Sequence, residues 1–203
     1  MTRQVEIEEA IRLAIENNLP FYAYRNPNEE IEFGLQLSPL AERKRGEKGF
    51  VIYPFVETPQ TPALFIKQEY SLNKFPVDIQ KREVNYPKEN REIDFTQYKN
   101  SASQLITDME QDRYQKAVLS RTIGYQTNAR EKSTEWFLSL CRCYPNAYIY
   151  IFSVPLIATW IGATPEKLLE YDGYNVTTMA LAATRRADEN RPFTPKEERE
   201  QQI

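Results

Sequence analysis

The feature that most constrains this chain is a set of short segments rich in β-branched and aromatic residues, set apart by Pro, Gly and charge clusters. In the first part of the chain they are "FYAYR", "IEFGLQL", "GFVIYPF" and "ALFIK". Such segments suit antiparallel strands joined by hairpins and loops. Ahead of them, Ile7, Ala10, Ile11, Ala14 and Ile15 repeat at helical spacing and stop before Pro20, which predicts an amphipathic helix. The charged, glycine-containing "AERKRGEKG" reads as a solvated turn; nothing in it resembles a Walker phosphate loop. From about residue 70 to 95 the polar, Pro-interrupted text predicts a long surface connection.

The second half is more regular. Tyr98, Ala102, Leu105, Ile106 and Met109 mark another amphipathic helix. A strand "KAVLSRTIGY" is expected next, then a helix "STEWFLSLCRCY" with Ser133 as its cap and Trp136 and Phe137 opening its apolar face. Strands "AYIYIF" and "IATWIGA", a turn into "EKLLEY" and a strand "NVTTMALAAT" follow. Helices and strands mix without strict βαβ alternation, so the expected fold class is α+β, antiparallel sheets with flanking helices. Near the end, Thr194, Pro195 and Glu197 have the spacing of a helix start. The sequence stops barely two turns later, at Ile203, which reads as a truncation within a helix.

Composition narrows the chemistry. A net charge of −3 over 203 residues carries no basic excess, which argues against nucleic acid as the main partner. No apolar run approaches the roughly 18–20 residues that span a bilayer, and "MTRQVEIEEA" lacks the apolar core of a signal peptide. A cytoplasmic protein with no membrane partner is the expectation. There is no histidine, which removes the commonest metal ligand and every Ser-His or Cys-His relay. Cys141 and Cys143 are too few for a zinc site and read as plain helix thiols. Acid–base work therefore falls to Lys, Glu, Asp, Tyr or Cys.

Two residues stand out at the edges of apolar segments. In a strand, Lys116, Val118 and Ser120 would share one face of "KAVLSRTI". Desolvation on that partly apolar face would bring the amine toward the range of a base; otherwise Lys116 is a solvated strand-end lysine. Glu166 follows Pro165, which keeps Thr164 extended, and precedes Leu168 and Leu169, expected to be buried. A carboxyl group against apolar neighbours holds its proton and can act as an acid; otherwise "PE" opens a helix whose dipole the glutamate serves. Glu200, one turn after Lys196, is a surface charge or one oxygen ligand of a magnesium ion.

Taken together, "KAVLSR", "GATPEKLL", "ALAATRRADEN" and "KEEREQQI" occur in order between about residues 98 and 203. The set resembles the chorismate-utilising enzymes, isochorismate synthases being the nearest branch. That family's pattern runs K-V-V-L-S/A-R, G-A-S/T-P-E-L-L, L-A-G-T/S-x-R, then K-x-x-x-E ahead of an apolar helix. The resemblance implies that residues 1–95 are a variable amino-terminal β-rich region. Residues 96–203 would be the first part of the chorismate-binding catalytic region, incomplete without the metal carboxylates and basic residues of a carboxyl-terminal half.

It also implies roles. Lys116 would be the general base activating water to attack ring carbon C2, and Glu166 the general acid protonating the departing C4 hydroxyl. Ala182, Ala183 and Thr184 would line the ring, and Glu200 would bind the magnesium that holds the substrate's ring carboxylate. The implied activity is conversion of chorismate to isochorismate, opening menaquinone or catecholate siderophore synthesis.

Two positions favour water as the nucleophile. Anthranilate synthase large subunits lack a lysine where Lys116 stands, and covalent-type aminodeoxychorismate synthases place one where this chain has Ala182. Salicylate synthase shares the base and the acid, and a non-catalytic remnant of the fold is the reading from another class. This chain departs from the pattern in having "AAT" for "AGT", so that Ala183 adds a methyl group where glycine's freedom is usual. It also has "DRYQK" where a glycine ordinarily precedes the lysine.

Overall fold

A computed structural model describes residues 1–85, 94–167 and 169–178. The elements run β1 (Thr2–Arg3), α1 (Ile7–Glu16), β2 (Phe21–Arg25), β3 (Glu32–Leu35), β4 (Gly49–Ile52), β5 (Leu64–Lys67) and β6 (Phe75–Pro76). They continue with α2 (Phe95–Glu110), α3 (Ala129–Cys143), β7 (Tyr148–Val154), β8 (Ala158–Thr164), β9 (Glu170–Tyr171) and β10 (Val176–Thr177). Helices and antiparallel sheets are mixed, consistent with the expected α+β class. The chain divides into two compact units, one of Met1–Val84 with Glu131–Ile203 and one of Asn85–Arg130.

The centre of the larger unit is a four-stranded antiparallel sheet in the order β3-β2-β7-β8. Period-two alternation gives it two faces of different chemistry. On one, Phe21, Ala23, Phe33, Leu35, Ile149 and Ile151 form a single buried cluster with Ala10, Ile11 and Ala14 of α1 and Phe137 of α3. The α1 stripe thus buries three of the residues whose spacing predicts it. Glu8 and Glu9 favour its amino-terminal dipole, and Asn18, at φ 52°, turns the chain out of it.

The opposite face is aromatic. Tyr22, Phe152 and Val154 are buried there beneath the β4–β5 hairpin, with Phe50, Ile52, Leu64 and Ile66 on the covering side. Tyr24, Tyr148 and Tyr150 continue the row, half-buried, with ring centroids 5.8–6.1 Å apart along Tyr22–Tyr24, Tyr24–Tyr148, Tyr148–Tyr150 and Tyr150–Phe152. Two of these rings lie over cross-strand glycines: Tyr22 opposes Gly34 and Tyr150 opposes Gly162. Burial, with the phenol of Tyr24 next to it, pushes the Tyr148 phenol up to about 12. Tyr22 is raised too, by burial first and then by Tyr24.

Arg25 is also buried, at the end of β2. Its guanidinium donates to the carbonyls of Tyr144 (2.6 Å), Ala147 (3.0 Å) and Pro145 (3.1 Å), tying β2 to the turn after α3. Charge-assisted bonds to the carbonyls following a helix also suit the negative end of its dipole.

Three sequence expectations change. The α3 helix begins at Ala129, one turn before Ser133, so Ser133 is a buried helix residue and not its cap. "AREK" is made of strong helix formers and extends the helix backward. Phe137 is fully buried as expected, but Trp136 stays 38% exposed. The connection expected from residue 70 onward is partly structured: Leu35 bridges Tyr70, Ser71 bridges Lys74, and β6 pairs with β1, burying Phe75.

In the smaller unit, α2 starts at Asp94, whose side chain accepts from the amides of Thr96 (2.6 Å) and Gln97 (3.0 Å). None of its residues is buried, and Ile106 is 53% exposed. The expected helix forms, but its apolar stripe is not packed into a core.

Candidate active site

Lys116 follows α2 in a stretch with no regular structure from residue 114 to 128, apart from isolated bends. The expected strand "KAVLSRTIGY" is therefore not formed. A strand exists only where its amides and carbonyls meet a neighbouring ladder, and among the described residues no strand pairs with this one. Its β-branched residues consequently sit in solvent: Val118 is 86% exposed and Ile123 is 53% exposed. Lys116 is exposed, and the partly apolar face that would desolvate it is absent. The segment has a local anchor in the Arg121 guanidinium, 5.5 Å from the ring centroid of Phe95.

Glu166 stands two residues past the end of β8, in the larger unit. The strand holds Thr164 opposite Tyr148, as its extended conformation before Pro165 predicts. Thr164 Oγ1 accepts the amide of Glu166 at 3.2 Å, closing a short turn across the proline. The Glu166 side chain is exposed, and so is Leu169 at 63%. The apolar packing expected around the carboxyl group is not seen, and no helix opens at "PE"; Leu168 lies outside the described residues. Downstream, Lys167 pairs with Glu170 at 2.8 Å. β9 then turns back into β10 through Asp172, whose carboxylate accepts the amides of Asn175 (2.7 Å) and Tyr174 (2.9 Å). Gly173, at φ +99°, supplies the left-handed position of that turn.

Ala182, Ala183, Thr184 and Glu200 lie outside the described residues, as does the helix expected from Thr194. Lys116 and Glu166 are each described within their own unit. No group of three or more His, Cys, Asp or Glu side chains that could hold a metal occurs among the described residues. None of their helices is long and apolar enough to cross a membrane.

Two features of the larger unit escaped the sequence reading. One is the Thr164 hydroxyl, which the order Thr-Pro-Glu signals, since Thr side chains bond backbone groups two residues on. The other is a cavity of about 650 Å3 between residues 40–43 and the β4–β5 hairpin. Val51 and Phe65 are among its apolar lining and Glu42, Arg43 and Glu57 are its charged residues; neither Lys116 nor Glu166 lines it.

Comparison with known proteins adds one finding. No curated protein and no solved structure matches the chain. A family model described as "Chorismate binding enzyme" matches residues 43–200, a span that holds Lys116, Glu166, the Ala182–Thr184 stretch and Glu200 together. With more than half its length matched, the chain belongs to the chorismate binding enzyme family.

Proposed function

We propose that this protein is a magnesium-dependent isochorismate synthase, converting chorismate to isochorismate. The observation that carries the proposal is the identity of two residues within the family match: lysine at 116 and glutamate at 166. In this reading the Lys116 amine takes a proton from water as its oxygen bonds to ring carbon C2. The ring double bonds shift, and the C4–O bond breaks as Glu166 gives its proton to the leaving hydroxyl. The net change is exchange of a hydroxyl group between two carbons, so one base and one acid suffice without histidine. Each proton transfer is worth on the order of 10²–10⁴ in rate.

Magnesium would neutralise and orient the substrate carboxylate, with Glu200 as one ligand. Glu200 lies outside the described residues, among which no group of three or more carboxylates or thiols could hold a metal. Chorismate itself is the implied small-molecule partner, and cytoplasmic menaquinone or siderophore synthesis is the setting this reading suggests. Salicylate synthase is the second reading, because it uses the same base and acid before losing pyruvate.

The test is turnover of chorismate by the complete gene product, with product analysis and with magnesium added or chelated. Lys116→Ala and Glu166→Gln should each remove at least about 99% of activity while leaving the circular dichroism spectrum unchanged. Parent-level turnover by either variant would refute the assignment. Pyruvate appearing with salicylate would favour the second reading.

A further inference from the structure

We infer that Thr164 is a positioning residue for Glu166: its hydroxyl fixes the direction in which the chain carries the acid away from the sheet. The inference rests on Glu166 being the general acid. Four observations place Thr164 in this role. It ends a seven-residue strand whose every position is paired with β7, so its backbone is held by the sheet. Pro165 follows, with φ locked and no amide hydrogen. The first donor past the strand is therefore the amide of Glu166 itself, and Thr164 Oγ1 accepts it at 3.2 Å. Finally, Glu166 has no burial or helix to orient it. The hydroxyl and the proline are the constraints on its backbone that the described residues reveal.

The same geometry separates positioning from stability. The bond is solvent-exposed and local, spanning two residues, so its loss should hardly change the folded state. A small misplacement of a reacting group, in contrast, lowers turnover directly. Thr164→Val keeps the β-branched shape that the strand end accommodates and deletes the hydroxyl. Thr164→Ser keeps the acceptor.

The experiment compares both variants with Glu166→Gln in the complete gene product, measuring kcat, KM, thermal unfolding and hydrogen exchange at the Glu166 amide. For Thr164→Val the expected result is a kcat lowered roughly three- to tenfold, the factor one modest hydrogen bond supports. KM and the melting temperature should be unchanged, and the Glu166 amide should exchange faster than in the parent. Thr164→Ser should recover at least half the parent kcat and the slower exchange. If Thr164→Val turned over at the parent rate while Glu166→Gln was inactive, the positioning role would be overturned and the acid assignment would stand. If Thr164→Val lost kcat and stability together without rescue by serine, the residue would be structural only, which also overturns the role. If Glu166→Gln were fully active, the acid assignment would fall and the inference with it.

Discussion

Gly162, in the middle of β8, is the most informative position to perturb. A Cβ placed there would lie 2.4 Å from Cζ, 2.5 Å from Oη and 2.6 Å from Cε1 of Tyr150, far inside van der Waals contact. Backbone movement is blocked by the ladder, where Gly162 pairs with Tyr150 in a run of seven. The ring must yield instead. The contacts at stake are its stack on Phe152 (6.1 Å, 15°) and its contact with Tyr148 (5.9 Å, 33°).

Two aromatic contacts at about 0.5–1.5 kcal/mol each set a loss of about 1–3 kcal/mol. Alanine recovers about 0.5–1 kcal/mol of backbone entropy relative to glycine, leaving Gly162→Ala destabilised by up to about 2.5 kcal/mol. For a chain of this length that lowers Tm by up to about 10 °C. The assay is urea and thermal unfolding by circular dichroism, run as a cycle with Tyr150→Ala. With the ring removed, Gly162→Ala should be neutral or stabilising. An equal cost in both backgrounds, or a higher Tm for Gly162→Ala alone, would refute the claim that the tyrosine dictates this glycine.

Three further outcomes are expected. In alkaline titration followed at the phenolate absorbance, Tyr148 should resist ionisation until about pH 12, with Tyr22 and Tyr24 also titrating above the ordinary 10.0. A raised phenol stabilises the fold fully below pH 10 and loses that contribution as pH rises toward 12, so stability measured by urea should fall across that window. Leu156, at φ 71° in the Val154–Ile157 turn closed by a 3.0 Å bond, occupies a position suited to glycine. Leu156→Gly should raise stability by roughly 1 kcal/mol in urea unfolding, because the side chain is 58% exposed and little packing is lost. The amides of Asn175 and Tyr174 hold the Asp172 carboxyl group below its ordinary 3.8. The stabilisation it gives the β9–β10 turn is intact above that pH and lost as pH falls through the lowered value, which amide chemical shifts at Tyr174 and Asn175 would report.

Local structure was legible wherever a segment's partners lie close by or its pattern is strong. The stripe Ile7, Ala10, Ile11, Ala14 forms the expected helix because one face of it meets the sheet, and "FYAYR" and "AYIYIF" form the expected strands. "KAVLSRTI" has the same β-branched character, yet it lacks a ladder among the described residues and stays irregular. Ser133 had the chemistry of a cap, but the helix formers before it carried the helix a turn further. At the candidate site, the sequence named Lys116 and Glu166 through motif order but left open whether either is desolvated, and both are exposed. Burial depends on what the rest of the chain places against a side chain, which no local pattern encodes.

By itself the sequence determined the chemistry on offer. Without histidine, acid–base work is left to Lys, Glu, Asp, Tyr or Cys, and Pro165 keeps Thr164 extended ahead of Glu166. Tertiary structure alone decided that β2 lies beside β7, more than a hundred residues away, bringing Tyr24 against Tyr150 and Tyr22 against Phe152. Alternation tells a strand that its two faces differ, but a ladder's backbone groups accept any neighbour, so the choice falls to the side chains that meet once the sheet assembles. The glycine in "GATPE" is the clearest case: its reason is a tyrosine on the next strand.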